Sequence, residues 1–170
     1  MTRAGEYILP LACIVAAVAL GASELMNTFA LRPAGGETQQ LISAGDRHYY
    51  ALMVLGAFAV VAVVVAVTTG SRPAAMAVAA AGVLALLIFL LTDLPDAGQV
   101  GTLDDRRESF IDTKAYPVSG FYLELAGSAV LALCGSALAT LRPDQLRLFG
   151  NRRPPQAPAP LDYGEPPYQR

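Results

Sequence analysis

Two acids stand where acids are rare. Glu24 lies in LGASELMNTF and Glu124 in GFYLELAG, each near one end of a long apolar run, and no Lys or Arg shares those runs. A carboxylate taken out of water needs a proton, a cation or several hydrogen-bond donors to be tolerated. If the two runs are antiparallel helices, a rise of 1.5 Å per residue puts both acids roughly 8–9 Å below the same boundary. Asn27, His48 and Asp93 fall near that level as well. The chemistry open to such a group is narrow. One carboxyl holds a proton against the other, or the group grips a proton, a metal ion or a small cation in a water-filled pocket. Two plainer readings stand beside it: the acids reach interfacial water, or they make a polar contact with a partner protein.

Other chemistry is excluded by what the chain lacks. His48 is the only histidine, so a haem held by two histidines is ruled out. Cys13 and Cys134 form no Cys-x-x-Cys pair and read as small packing residues, although their matching depth permits a disulfide. There is no P-loop, HExxH, GxSxG or dinucleotide fingerprint, so neither an enzyme nor an organic cofactor is expected. A net charge of −2 argues against nucleic acid as a partner.

The elements that position these residues follow from composition. Of 170 residues, 54% are apolar and only 15% charged, where a soluble domain carries about a quarter charged. The apolar residues are grouped into four blocks, roughly 7–30, 49–69, 73–92 and 119–141. A bilayer crossing needs about 20 apolar residues, and in lipid the backbone must satisfy its own hydrogen bonds. The expected fold is therefore an all-α membrane protein, a four-transmembrane-helix bundle over residues 1–144. A structured external loop would stand at one end and a disordered, Pro-rich cytoplasmic tail would follow over 145–170. The first block reads as an uncleaved span, because its apolar run continues past the small residues at 19–23.

Basic residues set the orientation. With both termini inside, Arg3, Arg72, Arg142, Arg147, Arg152 and Arg153 lie on the cytoplasmic side, against Arg32, Arg47, Arg106, Arg107 and Lys114 outside. Arg72 sits in a very short turn and the cluster at 142–153 directly follows the last block, which strengthens the N-in, C-in reading. The expected location is a bacterial plasma membrane. In the second external loop, TLDDRRESFID pairs Thr102 with Asp105 in the manner of a capping box. A short amphipathic helix bearing Leu103, Phe110 and Ile111 is expected there.

Helical spacing also marks packing faces. Cys13, Ala17, Gly21, Glu24 and Thr28 follow steps of three or four residues, as do Glu124, Ser128, Ala132, Ser136 and Thr140. Small residues allow close helix approach in membranes, so Ala17, Gly21, Ser128, Ala132 and Ser136 should face the bundle interior. The partners expected are the lipid bilayer and another membrane protein or a second copy of the chain. Continuous small-residue stripes without catalytic residues favour a non-enzymatic accessory or scaffolding subunit of a membrane complex. The alternative is a small transporter or ion-binding protein using the paired carboxylates.

Overall fold

The computed structural model of the chain describes residues 3–33, 40–103 and 111–148. Helix α1 (Arg3–Ser23) leads into strand β1 (Asn27–Pro33), and β2 (Gln40–Ser43) passes directly into the short helix α2 (Ala44–His48). Helix α3 (Ala51–Thr69) and helix α4 (Arg72–Ile88) follow, and α4 runs on as a π-helical turn, Phe89–Asp93. Strands β3 (Val100–Leu103) and β4 (Ile111–Pro117) precede α5 (Ser119–Thr140) and the short α6 (Pro143–Leu148).

Three of these helices are long and apolar enough to cross a membrane: Ala51–Thr69, Arg72–Asp93 and Ser119–Thr140. The first block differs from the expected single span. Its apolar run is divided, with a shorter apolar helix at Tyr7–Ser23 and a strand from Asn27. The break falls at Glu24–Met26, where Leu25 and Met26 N–H groups close a turn on the carbonyls of Ala22 and Ser23. Apolar composition alone does not separate the two states. Phe29 and Ala30 are as buried in the strand as Leu20 is in the helix.

The helices close into a ring, with α1 and α4 each packed against both α3 and α5. Side chains at the contacts are small. Ala17, Ala59, Ala62, Ala66, Ala75 and Ala85 are all buried in one continuous core. Glycine sets the closest approaches. A Cβ on Gly82 of α4 would run into the backbone of Ala132 on α5, and one on Gly127 of α5 would lie 3.0 Å from the backbone nitrogen of Leu20 on α1. Backbones this near replace side-chain interdigitation with extensive main-chain contact. The outward faces carry large apolar groups instead, Leu11, Val15 and Val18 on α1 and Val54, Phe58 and Val61 on α3 among them.

The expected packing stripes run differently in the fold: the first leaves the helix after Gly21, with Glu24 in the following turn and Thr28 in β1, and the second leaves the interior after Ala132. Ala17, Ser128 and Ala132 are buried and Gly21 is half-buried against Met53. Ser136 is exposed, and it is the neighbouring Gly135 that meets Ala79 of α4. Thr140 is exposed as well. Each four-residue step overshoots the 3.6-residue period by about 0.4, so the face has drifted by roughly one residue at Ser136 and more at Thr140. Cys13 is buried, Cys134 half-buried, and both are free thiols.

One end of the ring is capped by a four-stranded antiparallel sheet of order β2-β1-β4-β3. Its centre is the β1–β4 pair, with Phe29 opposite Pro117 and Leu31 opposite Ala115. The expected amphipathic helix around TLDDRRESFID is not what forms at its flanks: Val100–Leu103 and Ile111–Pro117 are strands paired from Val100–Lys114 to Leu103–Ile111. Phe110, Asp105 and the rest of 104–110 lie outside the described residues. At the opposite end the left-handed Gly70 (φ 68) ends α3, and Ser71 caps α4 by accepting from Ala74 N–H. Helix α6 returns to this end, where Leu146 is buried and Arg147 Nε donates to the Thr69 carbonyl at 3.0 Å. Chain 145–148 is thus helical, and the remainder of the Pro-rich segment expected to be disordered, 149–170, lies outside the described residues.

Candidate functional site at the sheet-capped end

Glu24, in the turn just beyond α1, holds one loop from both sides. Its main-chain carbonyl accepts from Gly45 N–H at 3.0 Å, and its Oε1 accepts from Leu52 N–H at 3.1 Å. Leu52 sits in the first turn of α3, and the preceding Tyr50 supplies no side-chain cap. The Glu24 carboxylate therefore caps α3 from another element, where the free N–H groups and the helix dipole favour negative charge. Burial pushes the Glu24 carboxyl above its ordinary value, and the Leu52 N–H works in the other direction.

Between those two anchors lie Arg47 and His48. The corner that follows them is tight: Tyr49 (φ 51) and Tyr50 (φ 61) both adopt the left-handed conformation. A bulky residue there carries strain on the order of 1–3 kcal/mol, sustained only when surrounding structure fixes it. The Glu24 bonds to Gly45 and Leu52 flank the corner, and the contacts of Arg47 and His48 with Asp93 hold the residues just before it.

Asp93 arrives from the π-helical turn. The Leu94 N–H bonds the Phe89 carbonyl at 2.9 Å, five residues back, so the turn is wider than an α-turn. The Thr92 carbonyl accepts from Arg47 Nη2 at 3.2 Å. The Asp93 side chain is 0% exposed. Its Oδ2 is hydrogen-bonded to His48 Nε2 at 2.9 Å. Its Oδ1 lies 3.0 Å from Arg47 Nε, an ion pair without hydrogen-bond alignment. Arg47, 21% exposed, also reaches the outlying Asp96 Oδ2 at 2.7 Å and lies over the Phe29 ring at 4.9 Å.

Glu124 is in the second turn of α5 and is 0% exposed; no N–H or hydroxyl group among the described residues donates to it, and its close polar neighbour is the Asp93 carboxyl, which it can hydrogen-bond only if one of the two holds a proton. Ser128, one turn on, donates to the Leu125 carbonyl and offers Glu124 nothing. One Glu124 oxygen, one Asp93 oxygen and one His48 ring nitrogen all lie within 4.8 Å of one another. Glu24 is near enough for its charge to act on Glu124, and its own Oε2 is likewise unpartnered. Three packed rings wall the group: Phe121 stands 5.6 Å from Phe29 and 4.8 Å from Phe89, centroid to centroid.

Of the five residues singled out from sequence, four converge here: Glu24, His48, Asp93 and Glu124. The fifth, Asn27, is exposed at the start of β1 and takes no part. Arg47 and Asp96 are members that sequence reading missed. The signal for Arg47 was its place beside His48 at a span boundary, where a basic residue serves equally well as an orientation marker. Asp96 lies three residues beyond Asp93, one turn on if the chain stays helical.

The arrangement concentrates negative charge in a low-dielectric setting. Asp93, Glu124 and Glu24 are buried, and Arg47 is the one full positive charge in direct contact with the group among the described residues. It can hold a cation or a proton. The Thr92 hydroxyl lies 3.4 Å from Asp93 Oδ2, but its shorter bond, 2.6 Å, is to the Ile88 carbonyl of its own helix. Comparison with family models, with curated proteins and with solved structures gave no match in any of the three.

Proposed function

We propose that this chain is a small integral membrane protein that binds a cation at its sheet-capped end, as an ion-binding protein or small transporter. The observation that carries the reading is Glu124, a fully buried carboxyl that no N–H or hydroxyl among the described residues satisfies and whose polar neighbour is a second buried acid, Asp93. An ionised carboxylate left so would cost several kcal/mol, which a bound cation or proton removes. In this reading α1 is the fourth span. Its apolar part, Tyr7–Ser23, has the 17 residues at the short end of what a bilayer requires. The Arg distribution supports the sheet facing outward from a bacterial plasma membrane, with both termini inside.

The test is cation binding by the purified full-length protein, stripped by chelator and followed by calorimetry and thermal unfolding with sodium, calcium and zinc salts. Wild type is expected to bind and be stabilised by one of them, and Glu124→Gln to lose that response while remaining folded. Equal stabilisation of both proteins would refute the reading.

A second reading, the accessory or scaffolding subunit, keeps one observation in its favour. Strands β2 and β3 each have a single neighbour among the described residues, leaving two sheet edges to which a partner strand can add. Small-residue stripes no longer argue for it, since Ala17 and Ala132 are occupied by the chain's own helices. Native mass spectrometry of protein gently extracted from its membranes separates the two: a stable hetero-complex supports the subunit, a lone chain or homodimer the ion site.

A further inference from the structure

We propose that His48 Nε2, one oxygen of Asp93 and one oxygen of Glu124 form a binding site for a divalent first-row transition metal ion of the Zn2+ class. The inference rests on the cation-binding reading and narrows it to one kind of ion.

The donor set selects the ion. A site for Na+, Mg2+ or Ca2+ is built from oxygen alone, whereas an imidazole nitrogen beside carboxylates suits Zn2+ and its neighbours. Here the imidazole is no bystander. His48 is carried by a strained corner, anchored by Glu24 on both sides, and brought to 2.9 Å from Asp93.

The distances nearly match what a metal requires. Two donors about 2.0–2.1 Å from a tetrahedral ion stand about 3.3 Å apart. His48 Nε2 and Asp93 Oδ2, at 2.9 Å, need to separate by only a few tenths of an ångström. The third donor lies within 4.8 Å and must close by up to about 1.5 Å. Rotation of the Glu124 side chain supplies such a movement, and the ion would take the place of a proton shared between Glu124 and Asp93.

Charge and orientation agree with a dication. Asp93, Glu124, Glu24 and the outlying Asp96 face a single guanidinium, Arg47, so the group has an excess of acids for an ion of charge +2 to meet. The same guanidinium lies 3.0 Å from Asp93 Oδ1, fixing the carboxylate by its far oxygen while Oδ2 faces the imidazole. Outer partners of this kind orient metal-ligating carboxylates.

The test uses the full-length protein without a polyhistidine tag, metal-stripped and titrated with Zn2+, Co2+ and Ca2+. One equivalent of Zn2+ or Co2+ is expected to bind, with visible Co2+ d–d absorption of a four- or five-coordinate site. Removing an inner ligand should weaken Zn2+ by more than the roughly 10–100-fold lost with an outer partner, in both His48→Gln and Glu124→Gln. A second variant, His48→Cys, should restore Co2+ binding with a new thiolate-to-cobalt charge-transfer band, which shows that position 48 is a ligand. If Ca2+ or Na+ binds, Glu124→Gln abolishes that binding and His48→Gln leaves it unchanged, the transition-metal inference falls while the cation site stands. If no cation binds wild type, both fall.

Discussion

Replacing Glu24 separates a structural acid from a ligating one. In Glu24→Ala the buried Leu52 N–H loses its acceptor, the 3.1 Å bond from Oε1. An orphaned buried donor is worth about 1–3 kcal/mol, and loss of a helix cap about 1 kcal/mol, two views of the same interaction. Taking about 2 kcal/mol, with about 2–4 °C per kcal/mol for a chain of this length, the melting temperature should fall by about 4–8 °C. Glu24→Gln keeps a carbonyl oxygen where Oε1 is, and should stay within about 1 kcal/mol of wild type. The assay is thermal unfolding of both variants in the same detergent, with cation binding measured alongside. Glu24→Gln should retain binding, because the side chain acts by holding the Arg47–His48 loop. If Gln destabilises as much as Ala, the cap argument is wrong. If Gln abolishes binding, Glu24 belongs to the ligand set and the division between the two acids fails.

Three further outcomes follow from geometry. Gly82→Val places a side chain against the Ala132 backbone, which has no flexible end to yield, so it should cost about 1–3 kcal/mol or more and reduce the folded fraction on size exclusion, whereas Ser136→Val on the exposed face should leave stability within about 0.5 kcal/mol. Arg47→Gln removes the charge facing buried Asp93. Because the guanidinium is partly exposed, the loss should be about 1–3 kcal/mol, below that of a fully buried pair, and added Zn2+ should recover more stability in this variant than in wild type. Orientation is checked by Leu41→Cys on the sheet and Asp144→Cys on α6, each in a background without Cys13 and Cys134. A membrane-impermeant thiol reagent applied to intact cells should label the first and spare the second, and the reverse pattern would invert the N-in, C-in reading.

How much of this was legible in the sequence differs by element. The three long helices were, because twenty consecutive apolar residues leave few alternatives. The sheet was not. In β1 the run Thr28, Phe29, Ala30 is buried on successive residues, so the two-residue alternation that announces a strand is absent. In β4 only part of the strand is apolar, and β3 holds four residues. The convergence of Glu24, His48, Asp93 and Glu124 could be anticipated from depth alone, since each lies near the same end of its apolar run. Depth carries no information about direction around a helix or along a turn, which is why Asn27 was included and Arg47 passed over. The different duties of the two acids depend on where Leu52 N–H points, a property of the folded corner.

The charges of the site are divided unequally along the chain. Arg47, His48 and Glu24 come before the Gly70 turn, Asp93, Asp96 and Glu124 after it, and β1 and β4, one from each half, pair at the centre of the sheet. For biosynthesis this has a consequence. The first hairpin emerges from the ribosome with Glu24 committed to Leu52 N–H and Arg47 without its ion-pair partners, and the second brings those partners, Asp93 and Asp96. Quality control by membrane proteases then has a feature to read, since only a chain whose halves have met hides Arg47. Separately expressed halves, cut at Gly70, are expected to be short-lived alone and to persist together, with the Arg47→Gln half no longer protected by its mate.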